Sequence, residues 1–176
     1  MNKKYDNTNL LIPQSAIVKI GDIPLGGDFP VRIQSMTNTN TMDTDATVAQ
    51  CVRLIDAGCD FVRIAAPSIK EAENLAIIKK ILKNKGYNAP IIADIHFRPL
   101  VAETAARLVE KIRINPGNYT DKNIKIPDKI SDNEYENHLD IMRGKVATLI
   151  SICKEYGTVI RIGVNHGSLS ERIVKR

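Results

Sequence analysis

The chain predicts a parallel α/β fold, and three observations carry that reading. Short β-branched segments recur with a charged residue at the centre of each: Val31-Arg32-Ile33, Val62-Arg63-Ile64, Ile112-Arg113-Ile114 and Ile160-Arg161-Ile162, with Ala93-Asp94-Ile95-His96 built the same way around an acid. Stretches of helical apolar spacing separate them. The separations also fit: Arg32 and Arg63 are 31 residues apart, as are Arg63 and Asp94, and a strand, a crossover helix and two loops need about 30. Arg113 follows after 19 residues and Arg161 after a further 48, so the repeat is irregular in length but not in kind. Strand and helix in alternation mean a parallel sheet.

In chain order, a short β-hairpin is expected over about 16–25, turning at Gly21-Asp22, and strands at about 31–36, 60–65, 90–96, 111–115 and 159–164. Thr44 to Gly58 carries Val48, Val52, Leu54 and Ile55 at helical spacing and stops at a glycine. Ser68-Ile69-Lys70-Glu71 has the form of a capping box and opens a helix through Ala72, Leu75, Ile78, Ile81 and Leu82 to a stop near Gly86. Pro99 to Val109 reads as a shorter helix. Ser131 or Asn133 starts another, through Leu139, Met142, Val146, Leu149, Ile150 and Cys153 to Gly157. Residues 1–15 read as a flexible N-terminus and 16–176 as one domain.

Composition narrows the function classes. With 43% hydrophobic and 26% charged residues the chain is an ordinary globular type. No apolar run approaches the roughly 18 residues of a membrane span, and Met1-Asn2-Lys3-Lys4-Tyr5-Asp6 lacks the apolar core of a signal peptide. Three cysteines with no Cys-x-x-Cys pair point to a reducing, cytoplasmic setting, and no metal ligand is expected among them. A net charge of +5 invites nucleic acid, but the lysines scatter over helix faces among acids, and only 5% of residues are aromatic.

The chemistry lies in the loops that leave the strands. In a strand the outer residues of each triplet face one side and the central one the other. Helices are expected to cover the apolar side, leaving the four arginines to converge on the opposite one. A cluster of unpaired cations is unfavourable unless something anionic sits among them. The polar loops follow at the carboxyl ends, where α/β proteins place their sites. They are Gln34 to Thr41, Asp94-Ile95-His96-Phe97, Asn115-Pro116-Gly117-Asn118 and Asn165-His166-Gly167-Ser168. Ser168-Leu169-Ser170-Glu171 opens a further helix, whose N-terminus suits a phosphate. Taken singly, each has a plainer reading: Asn115 before a proline is turn chemistry, and a lone histidine is a packed one. Repetition is what favours a site.

Gln34-Ser35-Met36-Thr37-Asn38-Thr39, Ala93 to Phe97, Arg113-Ile114-Asn115-Pro116-Gly117-Asn118 and Arg161 to Ser168 resemble, in order, the 4-hydroxy-3-methylbut-2-enyl diphosphate synthases. The resemblance runs from about Ala16 to the end and favours the family's longer variety, which has an extra central domain. It implies a TIM-type (β/α) barrel of which about the first five βα units are present, since 176 residues fall short of the roughly 250 of a full barrel. It implies a compact anionic substrate, 2-C-methyl-D-erythritol 2,4-cyclodiphosphate, opened and dehydrated reductively. Arg63, Arg113 and Arg161 would clamp the diphosphate, Asn115 and Asn165 would hydrogen-bond substrate oxygens, and Ser168 would support the phosphate. Asp94 and His96 would face the carbon skeleton or order the arginines; Arg32 falls outside this set. The family's electrons come from ferredoxin or flavodoxin through a [4Fe–4S] cluster held by three cysteines and a glutamate in a C-terminal domain. None of the cysteines here matches that pattern. The expectation is a truncated substrate-binding barrel, inactive alone, from a protein that is homodimeric at full length. Another phosphate-binding barrel, such as a pteridine-using synthase, and a non-catalytic anion-binding module stay open as alternatives.

Overall fold

The charged β-branched segments do become strands, with one exception. A computed structural model describes residues 15–95, 98–115 and 131–164. An antiparallel hairpin, β1 (Val18–Ile20) and β2 (Ile23–Leu25), comes first. Its turn holds Gly21 at φ +56°, a left-handed conformation that glycine adopts without a Cβ penalty. Five strands follow in one parallel sheet, adjacent in chain order: β3 (Gln34–Met36), β4 (Phe61–Ala65), β5 (Ile91–Asp94), β6 (Lys111–Ile114) and β7 (Val159–Ile162). Each step to the next strand crosses a helix: α1 (Thr44–Asp56), α2 (Ile69–Asn84), α3 (Pro99–Ala106) and α4 (Asp132–Tyr156). Consecutive placement with helices in every crossover is barrel progression, so the partial-barrel expectation holds.

One face of the sheet forms the core with the helices. Val62, Ile64, Ile91, Ala93, Ile95, Ile112 and Ile114 pack there against Val48, Leu75, Ile78, Val101 and Leu149, all nearly or fully buried. Burying each such isoleucine, leucine or valine contributes about 1.5–3 kcal/mol. The opposite face is closed at its N-terminal end by the hairpin, whose Ile20, Ile23 and Leu25 pack on Phe61, Ile92 and Val159. The hairpin is thus a floor beneath the interior side, and the charged residues stand above it.

Local chemistry sets the helix ends, with three departures from expectation. Asp43 caps α1, its carboxylate accepting from Ala46 N (3.1 Å). The helix ends at Asp56, two residues short of Gly58, because Gly58 takes a left-handed φ of +97°. Ser68 precedes α2 without its side chain accepting a backbone N–H; the hydroxyl donates to the Glu71 carboxylate, so the expected capping box is not formed. That bond holds the Glu71 carboxyl below its ordinary range. Helix α3 stops at Ala106 instead of Val109, since Leu108 N turns back to Ala105 O (2.9 Å). Ser131 rather than Asn133 opens α4 with a complete capping box, and Gly157 closes it at φ +69°.

The exception is the first segment. Val31-Arg32-Ile33 precedes β3, and Val31 is 94% exposed. Residues 1–14 and the capping box at Ser168 lie outside the described residues.

Candidate anion-binding site

Strand register decides which charged residues meet. Asp94 on β5 pairs with Arg113 on β6, and Arg113 pairs with Arg161 on β7, so the three stand on one rung of neighbouring strands. Ala65 occupies that rung on β4, and Arg63 sits two residues earlier. Two strand residues span about 6.6 Å, within the reach of an arginine side chain, and Arg63 closes that gap. Its Nη2 lies 2.6 Å from Asp94 Oδ2, while Arg113 Nη1 lies 3.4 Å from Asp94 Oδ1. Asp94 is thus a bridge between two guanidinium groups, with its side chain 2% exposed. The helix-facing neighbours Ile64, Ala93 and Ile112 are buried in the core, and this alternation points Arg63, Asp94 and Arg113 at the interior.

The bridge leaves capacity unused. Arg63 Nε is buried and has no hydrogen-bond partner among the described residues, a costly condition for a donor. Arg113 Nη2 donates to Gly163 O (3.0 Å) just beyond β7. Arg161 is exposed on the same rung, and Asn115 is buried directly after β6. Two residues below Arg113 on β6, Lys111 is 7% exposed. Its ammonium lies 5.9 Å from the centre of the Phe61 ring, and no carboxylate pairs with it among the described residues. Burial, and then the charge of Arg161, hold its pKa below that of an ordinary lysine. Arg63, Lys111, Arg113 and Arg161 therefore share a single close carboxylate, Asp94, among the described residues. A cavity of about 370 Å3 lined by Leu25, Arg32, Gln34, Phe61, Lys111 and Arg161 opens on this side. Planar forks of this kind bind phosphate oxygens in pairs.

Arg32 lines that cavity with Lys111 and Arg161 but stays outside the Asp94 bridge. Met36, not Arg32, is the register partner of Arg63, which leaves Arg32 about 13 Å down the strand direction. There its Nε donates to Pro24 O (3.1 Å) and its Nη1 pairs with Asp60 (3.3 Å). The expected convergence of four arginines is corrected to three. Arg32 instead ties the hairpin floor to the start of β4.

The polar run after β3 is largely occupied in bracing itself. Thr41 Oγ1 donates to Ala65 O (2.6 Å), Thr39 and Thr47 share a hydroxyl bond (2.9 Å), and Gln50 Nε2 donates to Asn38 Oδ1 (2.8 Å). Asn74, buried on α2, donates to Thr41 O (2.7 Å). Asn74 and Lys111 escape sequence reasoning. Their signal is a polar residue at a position whose neighbours, Leu75 and Ile78 or Ile112, are core. His96, Asn165 and Ser168, also expected at the site, lie outside the described residues.

Fold and geometry define a partial (β/α)-barrel domain with a cationic cluster at the carboxyl ends of its strands. Residues 15–176 match the GcpE TIM-barrel domain, and the chain belongs to that family. It is 51% identical, over 93% of its length, to the 4-hydroxy-3-methylbut-2-en-1-yl diphosphate synthase (flavodoxin) of Parabacteroides distasonis, and 51% identical over 92% to the one of Phocaeicola vulgatus. It spans 27% and 26% of those proteins, about a quarter of their length. Among solved structures, dihydropteroate synthase from Xanthomonas albilineans is similar at 17% identity and a TM-score of 0.49, covering 92% of this chain and 69% of that one. A likeness at that level carries no argument for a pteridine substrate.

The cysteines do not suit an iron–sulfur cluster. Cys51 on α1 and Cys153 on α4 are buried in the core, and Cys59 is half-buried. Burial pushes the Cys51 thiol up to about 11 and raises that of Cys153, the reverse of what a thiolate ligand needs. Among the described residues no three His, Cys, Asp or Glu side chains gather where a metal could bind. No described helix is long and apolar enough to cross a membrane.

Proposed function

We propose that this chain is the substrate-holding part of a 4-hydroxy-3-methylbut-2-enyl diphosphate synthase, and that Arg63, Arg113 and Arg161 clamp the diphosphate of 2-C-methyl-D-erythritol 2,4-cyclodiphosphate. The observation that carries the reading is Asp94 bridging Arg63 and Arg113, with Arg161 on the same rung. The carboxylate neutralises part of the cationic charge and fixes two forks at the strand ends, leaving an anion-sized excess of positive charge. Asp94 on this reading orders the arginines and does not attack the substrate. Asn115 and Asn165 hydrogen-bond substrate oxygens, Ser168 supports the phosphate, and His96 faces the carbon skeleton.

The reaction opens the cyclic diphosphate and removes water with two electrons. The electrons come from flavodoxin, as the relatives' names state of them, through a [4Fe–4S] cluster whose ligands lie outside this chain. The complete protein works as a homodimer in the cytoplasm. What residues 16–176 do in it, as one domain, is to bind and orient. Calorimetric titration with the cyclodiphosphate tests the clamp. Removing Arg161, a charge-assisted donor worth about 1.5–3 kcal/mol, is expected to weaken binding by about 10- to 100-fold. Unchanged affinity in Arg161→Ala refutes the clamp.

A further inference from the structure

Gly163 follows β7 directly, where its amide donates to Ile114 O (2.9 Å) and its carbonyl accepts from Arg113 Nη2 (3.0 Å). Its backbone is not among those held at positive φ, so conformation does not demand glycine there. Space does. A Cβ at Gly163 would press into Arg113 Nε and lie 2.9 Å from Nη2 and 3.0 Å from Cζ. The guanidinium therefore lies flush on the bare backbone of residue 163, held on its other side by Asp94. Any side chain at 163 must lift it. Moving an arginine tip costs the fold little, because the tip is flexible, but it takes the fork off Asp94 and away from its aim at the strand ends.

We propose that Gly163 is a positioning residue: its missing side chain forms the platform that seats Arg113 for binding the anion. The inference rests on the clamp reading above and deepens it by adding a residue that touches no substrate. By contrast, Gly58, Gly86 and Gly157 have open space where a Cβ would stand; their glycines serve φ alone.

The test is a double-mutant cycle in the chain, with Gly163→Ala, Arg113→Ala and the pair, measured by calorimetry with the cyclodiphosphate and by urea unfolding. Gly163→Ala is expected to weaken binding by about tenfold or more, the scale of one charge-assisted bond, with an unfolding midpoint near that of the wild type. In the Arg113→Ala background the same alanine is expected to add nothing, because its target is gone. Where Arg113→Ala weakens binding, wild-type affinity in Gly163→Ala, or an undiminished further loss in the pair, overturns the proposal. If Gly163→Ala fails to fold, recovery of folding in the pair supports an arginine-specific clash, and continued misfolding overturns it. The Arg113 Nε–H resonance, read without ligand, separates the two ideas. A shift on Gly163→Ala alongside unaffected binding in Arg113→Ala means that the platform stands and the clamp falls; no shift means that the platform falls.

Discussion

Lys111 shows the energetic cost of the interior charges at the scale of one residue. It is buried beside Phe61, near Arg161 and without a paired carboxylate among the described residues. Its ammonium is disfavoured in the fold, so the unfolded chain binds that proton more tightly. The destabilisation is full at neutral pH and fades as pH rises through the folded pKa toward the ordinary value of 10.5. Lys111→Met, of similar length and uncharged, is expected to stabilise the chain by about 1–2 kcal/mol at neutral pH. The advantage should shrink as pH approaches 10.5. Chemical unfolding across that range checks both. A Met variant no more stable than wild type at neutral pH would show that Lys111 has its charge matched. Asp94 carries the opposite lesson: as the one close carboxylate among the described residues, it lets Arg63 and Arg113 stand side by side.

Helix starts separate what is formed from what only looks formed. The Ser131 hydroxyl accepts from Glu134 N while the Glu134 carboxylate accepts from Ser131 N (3.0 Å), whereas the Ser68 side chain accepts no backbone N–H. Ser131→Ala is therefore expected to cost about 1 kcal/mol and Ser68→Ala clearly less, as read from urea midpoints. The reverse order would contradict the assigned caps. The two motifs look alike in sequence, S-x-x-E in both, because the pattern specifies partners and not which oxygen meets which N–H. The same limit explains Arg32. Its β-branched flanks encode extended backbone, and that was legible; the rung a residue occupies depends on loop lengths, and that was not. For Arg63, Asp94, Arg113 and Arg161 the alternation of apolar and charged positions sufficed, since the helix-covered core fixes which side each faces. Lys111 obeys the same alternation, two residues from Arg113 on one face of β6, but its burial beside Phe61 depends on a neighbouring strand and was not legible.

At the scale of the whole molecule, the site exists only because parallel strands set residues 63, 94, 113 and 161 beside one another. Pro24 of the hairpin beneath them and Asp60 at the start of β4 hold Arg32 below the rung. Arg32 is thus an internal comparison: same residue type and same local pattern, on the same cavity, but tied to Asp60 and not to Asp94. The most direct measurement follows the arginine Nε–H resonances of the chain during titration with 2-C-methyl-D-erythritol 2,4-cyclodiphosphate. Those of Arg63, Arg113 and Arg161 are expected to shift together and saturate at one ligand concentration, with Arg32, tied to Pro24 and Asp60, shifting least. Shifts that include Arg32 equally, or that leave the three unmoved, would contradict a site built by the rungs of the sheet.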